Sequence, residues 1–189
     1  MSLSSQIGKE NIADKNERVI ICGDFGLPWC NDKEDEYWLN WLEEKTFEIL
    51  FVDGNHENFD LLYQFPIEER YGGKVHRLRK NIFHLMRGEV FEIEGKKIFA
   101  FGGGDDEELD VMDFRECPEF SRLPGEEECE HARKNLEKNE HAVDYIVTYD
   151  TGFKMRGFLK MESNCFNNLH AFLNEVSVEN KFSKWFFGC

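Results

Sequence analysis

Two short apolar runs each lead into a loop of polar residues, and this repeated ending constrains the fold more than any other feature. Val19 to Cys22 is a largely β-branched run followed by Gly23, Asp24, Phe25 and Gly26, the pattern of a strand buried on both faces that stops at a turn. Phe47 to Val52 leads in the same way through Asp53 and Gly54 to Asn55 and His56. Between them, Asp32 to Lys45 sets Trp38, Leu39, Trp41 and Leu42 in a stripe amid glutamates, which predicts an amphipathic helix. Strand, helix and strand at this length predict a right-handed βαβ crossover with parallel strands, so both polar endings reach the same sheet edge. Ligands of open α/β sheets bind outside the carboxyl ends of strands, where Asp24, Asn55 and His56 are delivered. Taken singly, Asp24 and Asn55 are well suited to capping a following helix. Their joint arrival beside His56 favours a site.

Bulk properties narrow the class. A chain of 189 residues with 41% hydrophobic and 14% aromatic content can bury one sizeable core, so residues 1–189 are read as a single domain. The formal charge of −15 disfavours attraction to nucleic-acid phosphates or anionic membranes. Six scattered cysteines without a CxxC pair or a preceding secretory segment suggest free thiols in a cytoplasmic protein. No stretch approaches the roughly 18 apolar residues of a membrane helix.

Further along, Glu89 to Ile93 and Lys97 to Phe101 flank a turn containing Gly95, which predicts a β-hairpin. The following "GGGDD" lacks both the dinucleotide fingerprint and the Gly-Lys-Ser/Thr ending of a phosphate loop. The acidic residues from Asp105 to Asp110 lack calcium-loop spacing and read as a solvated loop, with 105–125 irregular. Helix is expected at Glu126 to Lys138 and Asn164 to Val176, and strand at Val143 to Thr148 and Lys184 to Phe187.

"GDFG" followed by "GNHE" resembles the calcineurin-like metallophosphoesterase superfamily, and "VIICGDFG", "GNHEN", "RGEVFEIEGKKIFAFGGG" and "VDYIVTYD" resemble, in order, segments of its small bacterial and phage members. The resemblance implies an α/β fold, the four-layer α/β/β/α sandwich of the metallophosphoesterase type, present here in incomplete form. It implies hydrolysis of a phosphoester substrate at a divalent metal pair of manganese, zinc, iron or magnesium. Such a pair activates water and neutralises charge on the leaving group. The match makes Asp24 the bridging metal ligand, Asn55 a ligand to one metal through its amide oxygen, and His56 the catalytic residue beside the leaving oxygen.

Three departures accompany the match. The family's opening Asp-x-His is not found in Met1 to Arg18, its Thr-His is replaced by Thr148-Tyr149, and its Gly-His-x-His stops at Gly188-Cys189. Asp24 and Asn55 then supply two of the four ligands that one zinc commonly takes. Asp53 and Asp150 are the nearest substitutes, but no motif assigns them. His76, His84, His131, His141 and His170 read as packed or solvated histidines, and Arg87 as the partner of a carboxylate rather than of substrate phosphate. Two readings follow from these residues. One is a phosphoesterase with impaired activity, its absent parts lying outside this chain. The other is a non-catalytic domain of the same fold, binding no metal and serving in binding or interaction. Strand edges left open by a missing central strand would also favour a homodimer.

Overall fold

The computed structural model of the chain describes residues 17–104, 123–161 and 167–188. They form a mixed α/β protein with two mixed sheets, of five and four strands, and five helices. The first βαβ unit is as expected. β1 (Arg18–Cys22) pairs in parallel with β2 (Glu48–Val52), from Arg18 opposite Glu48 to Cys22 opposite Val52. The connecting helix α1 (Lys33–Glu43) is capped by the Asp32 carboxylate, which accepts from the Glu34 and Asp35 amides. Its inner face is Asp35, Leu39 and Leu42, and Asp35 turns back to accept the Trp29, Cys30 and Asn31 amides.

The segment that follows holds elements with weaker local signals. The short helix α2 (Phe59–Leu62) is capped by Asn58. β3 (Ile67–Arg70), β4 (Gly73–Arg79) and β5 (Ile82–Leu85) complete the first sheet in the order β1-β2-β5-β4-β3, with β5 parallel to β2 and antiparallel to β4. β4 does not alternate cleanly because both faces are covered, His76 being buried like Val75, and because its register shifts between Arg77 and Arg79.

The second sheet runs β6 (Glu89–Ile93), β7 (Lys96–Phe101), β8 (Tyr145–Thr148) and β9 (Lys184–Phe187). β6 and β7 are the expected hairpin, turning through Glu94 and Gly95 with positive φ, while β8 joins β7 and β9 in parallel. α3 (Glu126–Lys138) matches its predicted span, and α5 (Asn168–Glu179) starts later than expected because Asn167 caps it. α4 (Phe153–Leu159) was not foreseen: it contains Gly157 and buries none of its residues, so it shows no apolar stripe. The Asp105 to Asp110 loop lies outside the described residues.

Apolar side chains gather in three clusters that hold these elements together. Leu50, Val52, Phe83 and Leu85 of the first sheet meet Phe91, Ile98, Ala100 and Val147 of the second. Phe51, Ile49 and Ile82 pack with Leu39 and Leu42 of α1 and Phe59 and Leu62 of α2. Phe99, Phe101 and Ile146 pack with α3 and α5. The outer strands β1 and β9 expose Val19 and Phe186. No helix among the described residues is long and apolar enough to cross a membrane.

Candidate functional site

The loops after β1, β2 and β8 converge, and glycine makes the convergence sterically feasible. A Cβ on Gly23 would collide with the Tyr149 ring, one on Gly54 with the Asp24 carboxylate and amide, and one on Gly104 with the Tyr149 ring. Asp24 itself has φ 50°, a left-handed conformation that is costly for a non-glycine residue and is held here by its surroundings.

Those surroundings occupy the Asp24 carboxylate. Its Oδ1 accepts the His56 amide at 3.1 Å, and its Oδ2 lies 3.3 Å from His56 Nδ1. The same Oδ2 lies 3.1 Å from Tyr149 Oη, which is 2.6 Å from Asn55 Oδ1. The one phenolic proton is therefore shared between the two side chains expected to be metal donors. Asn55 and Tyr149 are buried, whereas the His56 side chain is 62% exposed and reaches solvent. Neither Asp24 nor Asn55 caps a helix; Asp32 and Asn58 do that work.

Glu57 is the residue that sequence reasoning passed over. Buried at 2% exposure, its carboxylate accepts the Phe25 and Gly26 amides at 2.9 Å each and the Gly54 amide at 3.4 Å. It thereby ties the loop after β1 to the loop after β2. Burial pushes its carboxyl up to about 8; the Gly26 amide opposes this, and the charge of Asp53 adds to it. A signal was present in "GNHEN", an acid within a glycine turn rich in free amides, but only the tertiary approach of Phe25 and Gly26 gives it partners.

The remaining acids at the strand ends are paired with cations. Fully buried Asp53 accepts from Arg87 Nε at 2.9 Å and Nη2 at 2.6 Å and lies 3.0 Å from His84 Nε2. Burial alone would raise its pKa, but the Arg87 charge and the His84 hydrogen bond hold it well below the carboxylate range. His84 Nδ1 is 3.0 Å from His76 Nδ1, and Arg87 continues to Glu128. Asp150 is bound by His170 Nε2 at 2.7 Å, Arg156 Nη1 at 2.6 Å and the Thr151 amide at 2.6 Å. Against the cost of burial, the hydrogen bonds from His170 and Arg156 likewise lower its pKa. His131 bonds Glu89 and His141 bonds Asn180. Cys189 lies outside the described residues.

A divalent pair does not fit this donor set. Among the described residues, no group of three or more His, Cys, Asp or Glu side chains is arranged to hold a metal ion. Asp53 and Asp150 each have a guanidinium nitrogen at 2.6 Å, where it would repel a cation, and Tyr149 offers only a phenol, which is protonated at neutral pH and a poor ligand in that form. Comparison of the chain with protein-family models, with curated proteins and with solved structures gave no match. What the cluster offers chemically is an exposed imidazole oriented by a carboxylate, backed by a phenol and an amide.

Proposed function

We propose that the chain is a calcineurin-like metallophosphoesterase domain in which the phosphoester-hydrolysing centre has become a hydrogen-bonded cluster, leaving a module used for binding or interaction. The observation that carries this reading is the position of Tyr149, whose hydroxyl lies 2.6 Å from Asn55 Oδ1 and 3.1 Å from Asp24 Oδ2. A cation bound to those oxygens would have to displace the phenol and find its other ligands elsewhere. The family reading is supported by the order of "GDFG" and "GNHE" and by the three apolar clusters, which suit the α/β/β/α layering.

One observation favours retained phosphoesterase activity as a second reading: Asp24 has a left-handed conformation, and Gly23 and Gly54 allow the close loop approach that brings Asp24, Asn55 and His56 together. The two readings separate in one experiment. Calorimetry of the chain with manganese and with zinc, together with turnover of an aryl phosphodiester, is expected to show no stoichiometric binding of two metals and no Asp24-dependent turnover. Tyr149→His is expected to leave both results unchanged. Binding of two metals with turnover abolished by Asp24→Ala would overturn the proposal and restore the enzyme.

A further inference from the structure

The helix α1 carries chemistry that the loop cluster does not use. Glu34, Tyr37, Trp38 and Trp41 recur at three- and four-residue spacing and so share the flank beside its buried face, and Lys45 follows just past the helix end. Tyr37 is 61% exposed and Trp38 37%. The rings stand edge to face, with Tyr37 and Trp38 centroids 5.3 Å apart at 77° and Trp38 and Trp41 centroids 5.9 Å apart at 82°. Contiguous exposed aromatic surface of this kind marks interaction sites, where Trp and Tyr carry much of the binding energy.

Charge indicates what would cover it. Lys45 Nζ lies 3.4 Å from the centroid of the Trp41 ring, so one ring of the stripe already takes an ammonium group on its face. Glu34, within the stripe, and Glu44, beside it, have no ion pair among the described residues. The chain as a whole carries −15. An apolar partner would bury these carboxylates without compensation, and an acidic partner or a nucleic acid would be repelled. We propose that this flank of α1 docks a lysine- or arginine-rich segment of a partner protein, with a cationic side chain over Trp38 and its neighbours paired to Glu34 and Glu44. The ring quadrupole and the carboxylates then act on the same cations, and the paired charges fix orientation. This surface is independent of whatever the Asp24 cluster binds.

Titration of the full chain with a hexalysine peptide, followed by tryptophan fluorescence at about 0.1 M salt, tests the proposal. The expected result is saturable binding that weakens roughly five- to tenfold in Trp38→Ala and in the Glu34→Gln/Glu44→Gln pair. The Glu127→Gln/Glu137→Gln pair on α3, which removes the same charge, is expected to weaken it less than about twofold. Tyr37→Ala, at the more exposed ring, serves as a second variant with an unchanged melting curve. Equal losses from the α1 and α3 pairs would reduce the effect to net charge and overturn the proposal, as would absence of saturable binding or full binding by Trp38→Ala and Tyr37→Ala. Light scattering that shows self-association of the wild type, lost in Trp38→Ala, would assign the surface to a second copy of the chain instead.

Discussion

Replacing Glu57 by glutamine tests the balance of forces that holds the two polar loops together. The Glu57 carboxyl is pushed to about 8 from an ordinary 4.5, with burial the largest cause. A folded-state pKa above the unfolded one means that the acid contributes stability fully below about pH 4.5 and loses it as pH rises through about 8. At about 1.4 kcal/mol per tenfold change in acid strength, this displacement corresponds to roughly 5 kcal/mol at its limit, and local relaxation around the buried charge reduces it to ~2–4 kcal/mol. Glutamine is neutral and does not titrate, but its amide nitrogen cannot accept one of the backbone N–H groups that the two carboxyl oxygens share. Urea midpoints measured from pH 4 to pH 9 should therefore show a fixed offset at the acid end, with wild type the more stable by about 1–3 kcal/mol for the backbone N–H left without an acceptor. Wild type should then lose ~2–4 kcal/mol relative to the variant toward pH 9. Taking the difference between the two proteins cancels the titrating groups that do not interact with Glu57, and leaves in only its coupling to Asp53. The opposite slope, with wild type gaining on the variant as pH rises through 4 to 5, would refute the reasoning. It would mean that the Phe25, Gly26 and Gly54 amides outweigh burial and stabilise the ionised acid.

Two further outcomes follow from the buried networks. Arg87→Met should destabilise the protein by about 3–5 kcal/mol in urea unfolding, because it leaves the fully buried Asp53 with only His84 as a side-chain partner; a loss below about 1 kcal/mol would contradict the network. His76 is pushed down to about 4 from 6.5 by burial and then by the neighbouring His84, so its contribution is complete above pH 6.5 and is lost as pH falls through 4. Wild type should accordingly lose stability relative to His76→Gln between those pH values, and a constant difference across the range would count against a buried neutral imidazole.

How much of this was legible beforehand depended on the range of the signal. β1, α1, β2, the β6–β7 hairpin, α3 and β9 could be read because each declares itself within a few residues, through an apolar run, a stripe, a cap or a turn. The joint arrival of Asp24, Asn55 and His56 could also be read, since parallel strands send their endings to one edge. β3, β4 and β5 were passed over because their segment mixes charge with buried histidine, and α4 because it buries nothing.

The chain by itself therefore determined where β1, β2 and β8 end and which polar residues stand at those ends, because alternation, capping and turn preference act between near neighbours. The tertiary structure alone decided what those residues do to one another. It brought Tyr149 onto Asp24 across 125 positions of sequence, Arg87 onto Asp53 across 34, and Glu57 onto the amide of Phe25 across 32. A buried carboxylate must find donors, and the donors within reach are set by which loops the two packed sheets carry to the same place.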